Sequence, residues 1–304
     1  MKVFKKIMMW VGIVILVLTS SYFLIQGILC SIGVSKANKR LTSYNVKTAK
    51  LSYGEVSYVD EGEGETILSV HGIFGGYDQA FETVRNREGS NRLLAPSRFG
   101  YLGSDVKGDG TPKEQAKAFA ELLDYLEIEK VFVLATSAGG TPAIRFALDY
   151  PSRVKGLILY CSAMPVTKKP EKFLEYQAPP KPLLTDYGMY LISPFFPSMM
   201  GMPISTVKDI QPVYKRKQGV ILDGELTNPD MERNFEEYNI EDLAVPTLIL
   251  HAKDDPVASY KKVEKAAPRF PNLTLIAFET GGHMMIGNSE AIEAALDTFI
   301  NENS

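Results

Sequence analysis

Short apolar runs recur along most of the chain and alternate with amphipathic stretches. Residues 66–70, 131–135, 157–161, 245–250 and 273–278 are largely apolar runs of five or six, the pattern of strands buried on both faces. Residues 55–60 alternate, and 93–96 is a further short strand. Between the strands the period changes to that of helices. Thr111-Pro112-Lys113-Glu114 is a capping box with proline at the first helical position, and Ala116, Phe119, Leu123 and Leu126 follow on one face. A helix begins near Gly140 and ends at about Tyr150, before Pro151. Another covers 259–267 and stops at Pro268, and Ile292, Leu296 and Phe299 mark a final amphipathic helix. Strands alternating with helices predict an α/β fold, a mostly parallel sheet covered on both faces.

Two stretches break this rhythm. Residues 7–35 carry no charge, and 7–30 is almost wholly apolar and long enough to cross a bilayer as one helix, after Lys2, Lys5 and Lys6. A cleaved signal peptide is the alternative, but the apolar core is too long for one and Val34-Ser35-Lys36-Ala37 is a poor cleavage site. The expectation is an anchor over 1–35 and a tether over 36–50 leading into the first strand of a unit spanning 51–304. The short basic tail favours a cytoplasmic N-terminus with the main unit extracytoplasmic. Lys36, Lys39, Arg40, Lys47 and Lys50 argue the reverse. The second break is 164–241. Nine of the 18 prolines fall between Met164 and Val213, and apolar residues cluster from Met189 to Met200, as in an inserted cap of short helices that holds itself together or lines an apolar pocket.

Composition narrows the function. The 304 residues, 45% hydrophobic and 23% charged, are ordinary for a globular protein, and a net charge of -3 gives no reason to expect a nucleic-acid partner. Two cysteines, Cys30 and Cys161, supply no metal cluster, and no cofactor or metal is expected. The three histidines are His71, His251 and His283, so a mechanism that needs an imidazole must choose among them.

Ala135-Thr136-Ser137-Ala138-Gly139 lies between a predicted buried strand and a predicted helix. Small residues there let the backbone turn sharply and lift the serine hydroxyl clear of the sheet. Such a hydroxyl is a weak nucleophile until a base takes its proton and an acid orients the base. An acid follows a later strand and a histidine follows the last one, giving the order Ser137, Asp255, His283. In a parallel sheet all three reach the carboxyl edge. His71-Gly72-Ile73-Phe74-Gly75-Gly76, after the 66–70 strand, could turn backbone N–H groups toward a developing oxyanion, or be a flexible turn.

On these motifs the chain, from about Lys50 onward, resembles the α/β-hydrolase superfamily. The resemblance places Ser137 at the nucleophile elbow, Asp255 in the Asp-Pro-Val loop, His283 in the Gly-Gly-His loop and His71-Gly72 in the oxyanion loop. Arg98, Gly100 and Ser104 match a glycine-punctuated loop of the family. Ala135 stands where the elbow has its first glycine, and Ser97 replaces an aspartate. The family's acid directly precedes the proline, which favours Asp255 over Asp254. His71 and His251 are then structural. A serine nucleophile argues against the carboxylate-based dehalogenase and epoxide hydrolase chemistries.

What the resemblance implies is acyl-enzyme chemistry, with the N–H groups of Ala138 and Ile73 as oxyanion donors. The expected substrate is a small-molecule ester, lipid-like or with an apolar acyl group, at the cell membrane. Amide, peptide or carbon–carbon bond hydrolysis on the same fold is the alternative. So is a membrane-tethered binding module, although a binder needs no triad.

Overall fold

The computed structural model describes residues 2–304. Its first element is a single helix, α1 (Lys2–Leu41). Eight strands follow: β1 (Lys47–Leu51), β2 (Gly54–Glu61), β3 (Glu65–Val70), β4 (Asn91–Pro96), β5 (Val131–Thr136), β6 (Val154–Tyr160), β7 (Thr247–Ala252) and β8 (Leu273–Phe278). They form one sheet in the order β1-β2-β4-β3-β5-β6-β7-β8. β1, β2 and β4 pair antiparallel, and the run from β4 to β8 is parallel throughout. The five residues from Val131 to Ala135 are all buried, as expected of a central parallel strand with helices on both faces.

The register places the chemistry. Val70 pairs with Ala135, so the turn after β3 and the serine corner after β5 sit side by side. Ala252 pairs with Phe278, so the acid loop after β7 faces the histidine loop after β8.

α2 (Tyr77–Val84), α3 (Pro112–Tyr125) and α4 (Gly140–Asp149) lie between strands. Thr111 caps α3 by accepting the Glu114 N–H at 3.2 Å, while Glu114 reaches back to the Gly110 N–H at 2.7 Å, one residue before the partner a capping box predicts. Between β6 and β7 the chain forms only short pieces: α5 (Asp186–Ile192), α6 (Phe196–Met200), α7 (Thr206–Ile210), α8 (Lys217–Leu222) and α9 (Asn228–Arg233). Leu184, Met189, Phe196, Val213 and Val220 bury together against Phe74 and Tyr101, giving this insertion a core of its own on the strand-end loops. α10 (Tyr260–Ala266) and α11 (Ser289–Asn303) complete the fold.

Three local features differ from expectation. Residues 36–50 do not form a tether: α1 continues to Leu41, and β1 occupies 47–51 as an edge strand. The helix continues because Ala37 and Leu41 bury against the rest of the chain, so packing extends it past the last apolar run. α2, absent from the sequence reading, forms on an amphipathic pattern that buries Ala80, Phe81 and Val84. Met1, at the start of the expected anchor, lies outside the described residues.

Candidate active site

β5 leads into Ser137, whose φ of +51° is left-handed and strained for a residue with a Cβ. Close packing holds the strain. A Cβ on Gly139 would lie 2.5 Å from the Val70 carbonyl oxygen, so only glycine lets the start of the helix approach β3 this closely. On the other side, a Cβ on Gly72 would stand 3.1 Å from Ser137 Cβ, which fixes how near the His71–Gly72 turn comes.

His283 Nε2 lies 3.0 Å from Ser137 Oγ, and His283 Nδ1 lies 2.8 Å from Asp255 Oδ2. An ionised carboxylate only accepts, so Nδ1–H donates to Asp255 and the Nε2 lone pair is left to accept the serine proton. His283 and Asp255 are buried and Ser137 is half-buried. Burial pushes the Asp255 carboxyl up, but hydrogen bonds from His251, His283 and the Ala258 N–H outweigh it and hold the group well below the usual carboxylate range. Its other oxygen accepts the N–H groups of Val257 and Ala258 at 2.8 and 3.0 Å. Chemically, this is a hydroxyl, a base aimed at it, and an ionised acid fixing the base.

The adjacent acid has another task. Asp254 accepts the N–H groups of Gly281 and Gly282 at 3.2 and 2.8 Å, and so pins the loop that carries His283. Asp254→Ala is expected to lower kcat about tenfold, against about 10⁴-fold for Asp255→Ala, because only the second leaves the imidazole unoriented. Steady-state hydrolysis of one soluble ester by both variants checks the ranking.

His251 also touches the acid. Its Nε2–H donates to the Ala258 carbonyl at 2.6 Å and stands 3.3 Å from Asp255 Oδ2. Nothing in the spacing along the chain marks this contact, since a strand-end histidine looks the same whether it packs or orients.

His71 is held neutral by burial, reinforced by the guanidinium of Arg98. Its Nδ1–H donates to the Gly72 carbonyl at 2.7 Å, and its Nε2 accepts the Arg98 N–H at 2.9 Å. Arg98 also donates to the carbonyls of His71 and Gly72, and pairs through both terminal nitrogens with Asp223, each contact 2.6 Å. Tyr101 adds a third 2.6 Å contact to Asp223, which belongs to the insertion. The 71–72 turn, the Arg98 loop and the insertion are thus one buried hydrogen-bonded unit.

A trans peptide points its N–H opposite its carbonyl, so the contacts to the Gly72 carbonyl turn the Ile73 N–H away from Arg98. Among the described residues no backbone or side-chain acceptor takes the Ile73 N–H. Ala138 lies in the first turn of the short 3₁₀ helix Ser137–Gly139, where N–H groups lack partners within the helix.

The depressed His71 pKa fixes a sign. Unfolding exposes an imidazole of ordinary pKa, about 6.5, so stability is full above that pH and falls by about 1.4 kcal/mol per unit as pH drops below it toward the folded value. The thermal midpoint in detergent is expected to fall between pH 7 and 5, and less so in His71→Asn.

The alpha/beta hydrolase family matches residues 67–295. The chain belongs to that family. Among its relatives this alpha/beta hydrolase is 28% identical, over 83% of its own length and 92% of the other's, to the 2-hydroxy-6-oxononadienedioate/2-hydroxy-6-oxononatrienedioate hydrolase of Paraburkholderia xenovorans (strain LB400). Four further curated relatives align over only 36% to 41% of this chain and 40% to 47% of their own length, while three others align over 75% to 84% of this chain. The fold matches an esterase from Exiguobacterium antarcticum with a TM-score of 0.69 and 21% identity, covering 84% of this chain and 99% of the esterase. It matches a membrane phospholipase A with a TM-score of 0.65 and 17% identity, covering 96% and 97%. At such identities these two structures bear on the fold alone. Two hollows of about 510 Å³ at the opposite edge of the sheet, both lined by Gly64, Thr66 and Arg92, hold none of the residues of the candidate site.

Proposed function

We propose that the chain is a membrane-anchored serine hydrolase that cleaves a carboxylic ester through an acyl-enzyme. The observation that carries this reading is the unbroken hydrogen-bonded line Ser137–His283–Asp255 at the carboxyl edge of the sheet. In this mechanism His283 takes the Ser137 proton as Oγ attacks the carbonyl, and Asp255 stabilises the imidazolium. The N–H groups of Ile73 and Ala138 receive the oxyanion, each donor contributing roughly 3–4 kcal/mol. His283 then protonates the leaving alcohol, and water, activated by the same imidazole, releases the acid.

On this reading residues 1–35 anchor the chain, 51–304 form the catalytic unit, and 164–241 cover the site as a cap. α1 has 40 residues, about 60 Å of helix, and is long and apolar enough to span a bilayer. Its apolar residues up to Ile25 are almost all exposed, as a lipid-facing helix requires. We place the catalytic unit on the extracytoplasmic side, with the basic tail inside, and reporter fusions at the two ends test this. An anchor beside an apolar cap suits esters with apolar acyl groups.

The 28% identity to a 2-hydroxy-6-oxononadienedioate/2-hydroxy-6-oxononatrienedioate hydrolase, whose name gives no simple ester as substrate, keeps carbon–carbon bond hydrolysis as the second reading. Hydrolysis of p-nitrophenyl esters of increasing acyl length by the full chain, with and without Ser137→Ala, separates the two. Serine-dependent turnover that improves with acyl length is the expected result. A fluorophosphonate probe should label the wild type and not Ser137→Ala. Labelling that survives the substitution overturns the assignment of the nucleophile.

A further inference from the structure

The C-terminal end of α1 does more than join the anchor to the sheet. Arg40, in its last turn, donates to Asp78 Oδ2 at 2.8 Å. Asp78 is fully buried in the first turn of α2, directly after the 71–76 loop. The same carboxylate takes both terminal nitrogens of Arg216, at 3.0 and 2.7 Å, and Arg216 is itself fully buried. Arg216 Nη1 also donates to the Phe74 and Gly75 carbonyls at 3.1 and 2.6 Å. The loop is therefore held at both ends by arginines. Arg98 grips the carbonyls of His71 and Gly72, and Arg216 grips those of Phe74 and Gly75. Between these two grips lies the N–H of Ile73.

Each arginine is closed by a carboxylate, but only the second closure reaches outside the catalytic unit. The second nitrogen of Arg40 spans the Asp209 and Gln211 carbonyls of the insertion, at 3.2 and 3.3 Å. Further up the helix, Tyr187 of α5 donates to the Phe23 carbonyl at 3.0 Å. The insertion thus packs along α1 from Phe23 to Arg40, about 27 Å of helix. A guanidinium at a helix C-terminus is also favoured by the helix dipole, so the contact suits its place.

We infer that Arg40 is a positioning residue for hydrolysis: through Asp78 and Arg216 the seated anchor helix holds the Ile73 N–H where the oxyanion forms. The ester-hydrolysis reading of the site is assumed here. The consequence is that hydrolytic rate and the docking of α1 are coupled. Any state in which α1 tilts away from the insertion releases one of the two cations on Asp78, and with it the far end of the loop. A purely mechanical anchor would show no such coupling.

The test uses the full chain in detergent micelles, with kcat referred to sites titrated by a fluorophosphonate. Arg40→Met keeps most of the stem and removes the charge. Arg40→Lys keeps the charge and loses the fork. Lys36→Ala with Lys39→Ala removes the same charge sign from exposed positions on the same helix. Loss of a whole oxyanion donor costs about 10²–10³-fold, so a loosened one is expected to lower kcat per titrated site about tenfold in Arg40→Met. KM for p-nitrophenyl butyrate should stay within about twofold, since binding of the ester's ground state does not use that N–H. The rate constant of fluorophosphonate modification should fall by the same factor as kcat, because that reaction builds negative charge on the same oxygen. Arg40→Lys should be intermediate, and the double lysine variant unchanged.

A merely structural Arg40 would lower the number of titratable sites and leave kcat per site alone, and that result overturns the inference. A parallel loss in the double lysine variant overturns it too, by showing that charge near the membrane suffices. If Arg40→Met does not accumulate, the kcat of Arg40→Lys per titrated site decides on the same criterion. Ser137→Ala keeps the two claims apart. Turnover that survives it sinks the reading of the site, whereas loss of turnover there with a normal Arg40→Met sinks only the coupling.

Discussion

Ser137→Ala and His283→Ala are each expected to lower kcat on a soluble ester by about 10⁶-fold, and the double variant by no more than either alone. The expectation follows from the geometry of the line. With Oγ 3.0 Å from Nε2, the base has the serine proton to take, and without the hydroxyl it has none. Without the imidazole the hydroxyl keeps its proton at neutral pH. The two losses are one loss counted twice, so their free energies do not add. Asp255→Ala should be milder, about 10⁴-fold, because Asp255 fixes the tautomer and the cation of His283 without touching the substrate. Single-turnover measurements on all four proteins, with folding checked by thermal midpoint, decide this. Additive losses in the double variant would mean that Ser137 and His283 act in separate steps.

Much of the sheet was legible because buried parallel strands must be apolar on both faces, as 131–135 is, whereas 273–278, read the same way, forms the edge strand β8 and is mostly half-buried. The order of a serine, an acid and a histidine after successive strands was legible for the same reason. Once strands are placed, a parallel sheet brings their carboxyl ends to one edge. What stayed hidden was long-range and polar. Nothing near Asp223 marks it as the partner of Arg98, since a lone acid in a proline-rich insertion looks like a solvated one. Arg40 reads as one more basic residue flanking an apolar helix, and Asp78 as an ordinary acid just after a glycine-rich turn. Their roles depend on which surfaces meet, and spacing along the chain does not encode that. The tether expected at 36–50 failed on the same ground. Lys36, Ala37, Lys39, Arg40 and Leu41 are all good helix formers, and burial of Ala37 and Leu41 secures the extra turns.

Removing Asp223 is expected to be among the most destabilising single changes in the protein. Arg98 and Asp223 are 3% and 1% exposed, so water screens neither, and two contacts of 2.6 Å hold them fork to fork. Burial works against the Arg98 charge, and Asp223 overcomes it so that the guanidinium stays fully protonated. Asp223→Ala leaves that cation buried with only the His71 and Gly72 carbonyls to face, which costs about 3–5 kcal/mol. Tyr101 would also lose the acceptor of its hydroxyl. Arg98→Met with Asp223→Leu removes both charges and replaces them with apolar volume, and most of the lost stability should return. Activity should not return with it. The double variant keeps a packed core but loses the Arg98 contact to the Gly72 carbonyl, so at that end of the loop only the His71 and Gly75 contacts to this carbonyl remain, with Arg216 still gripping the far end. Thermal unfolding and kcat measured on the same three proteins separate the two effects. Recovery of both together would mean that the ion pair only fills space between the insertion and the sheet. Recovery of stability without rate would place its function in the aim of one peptide N–H.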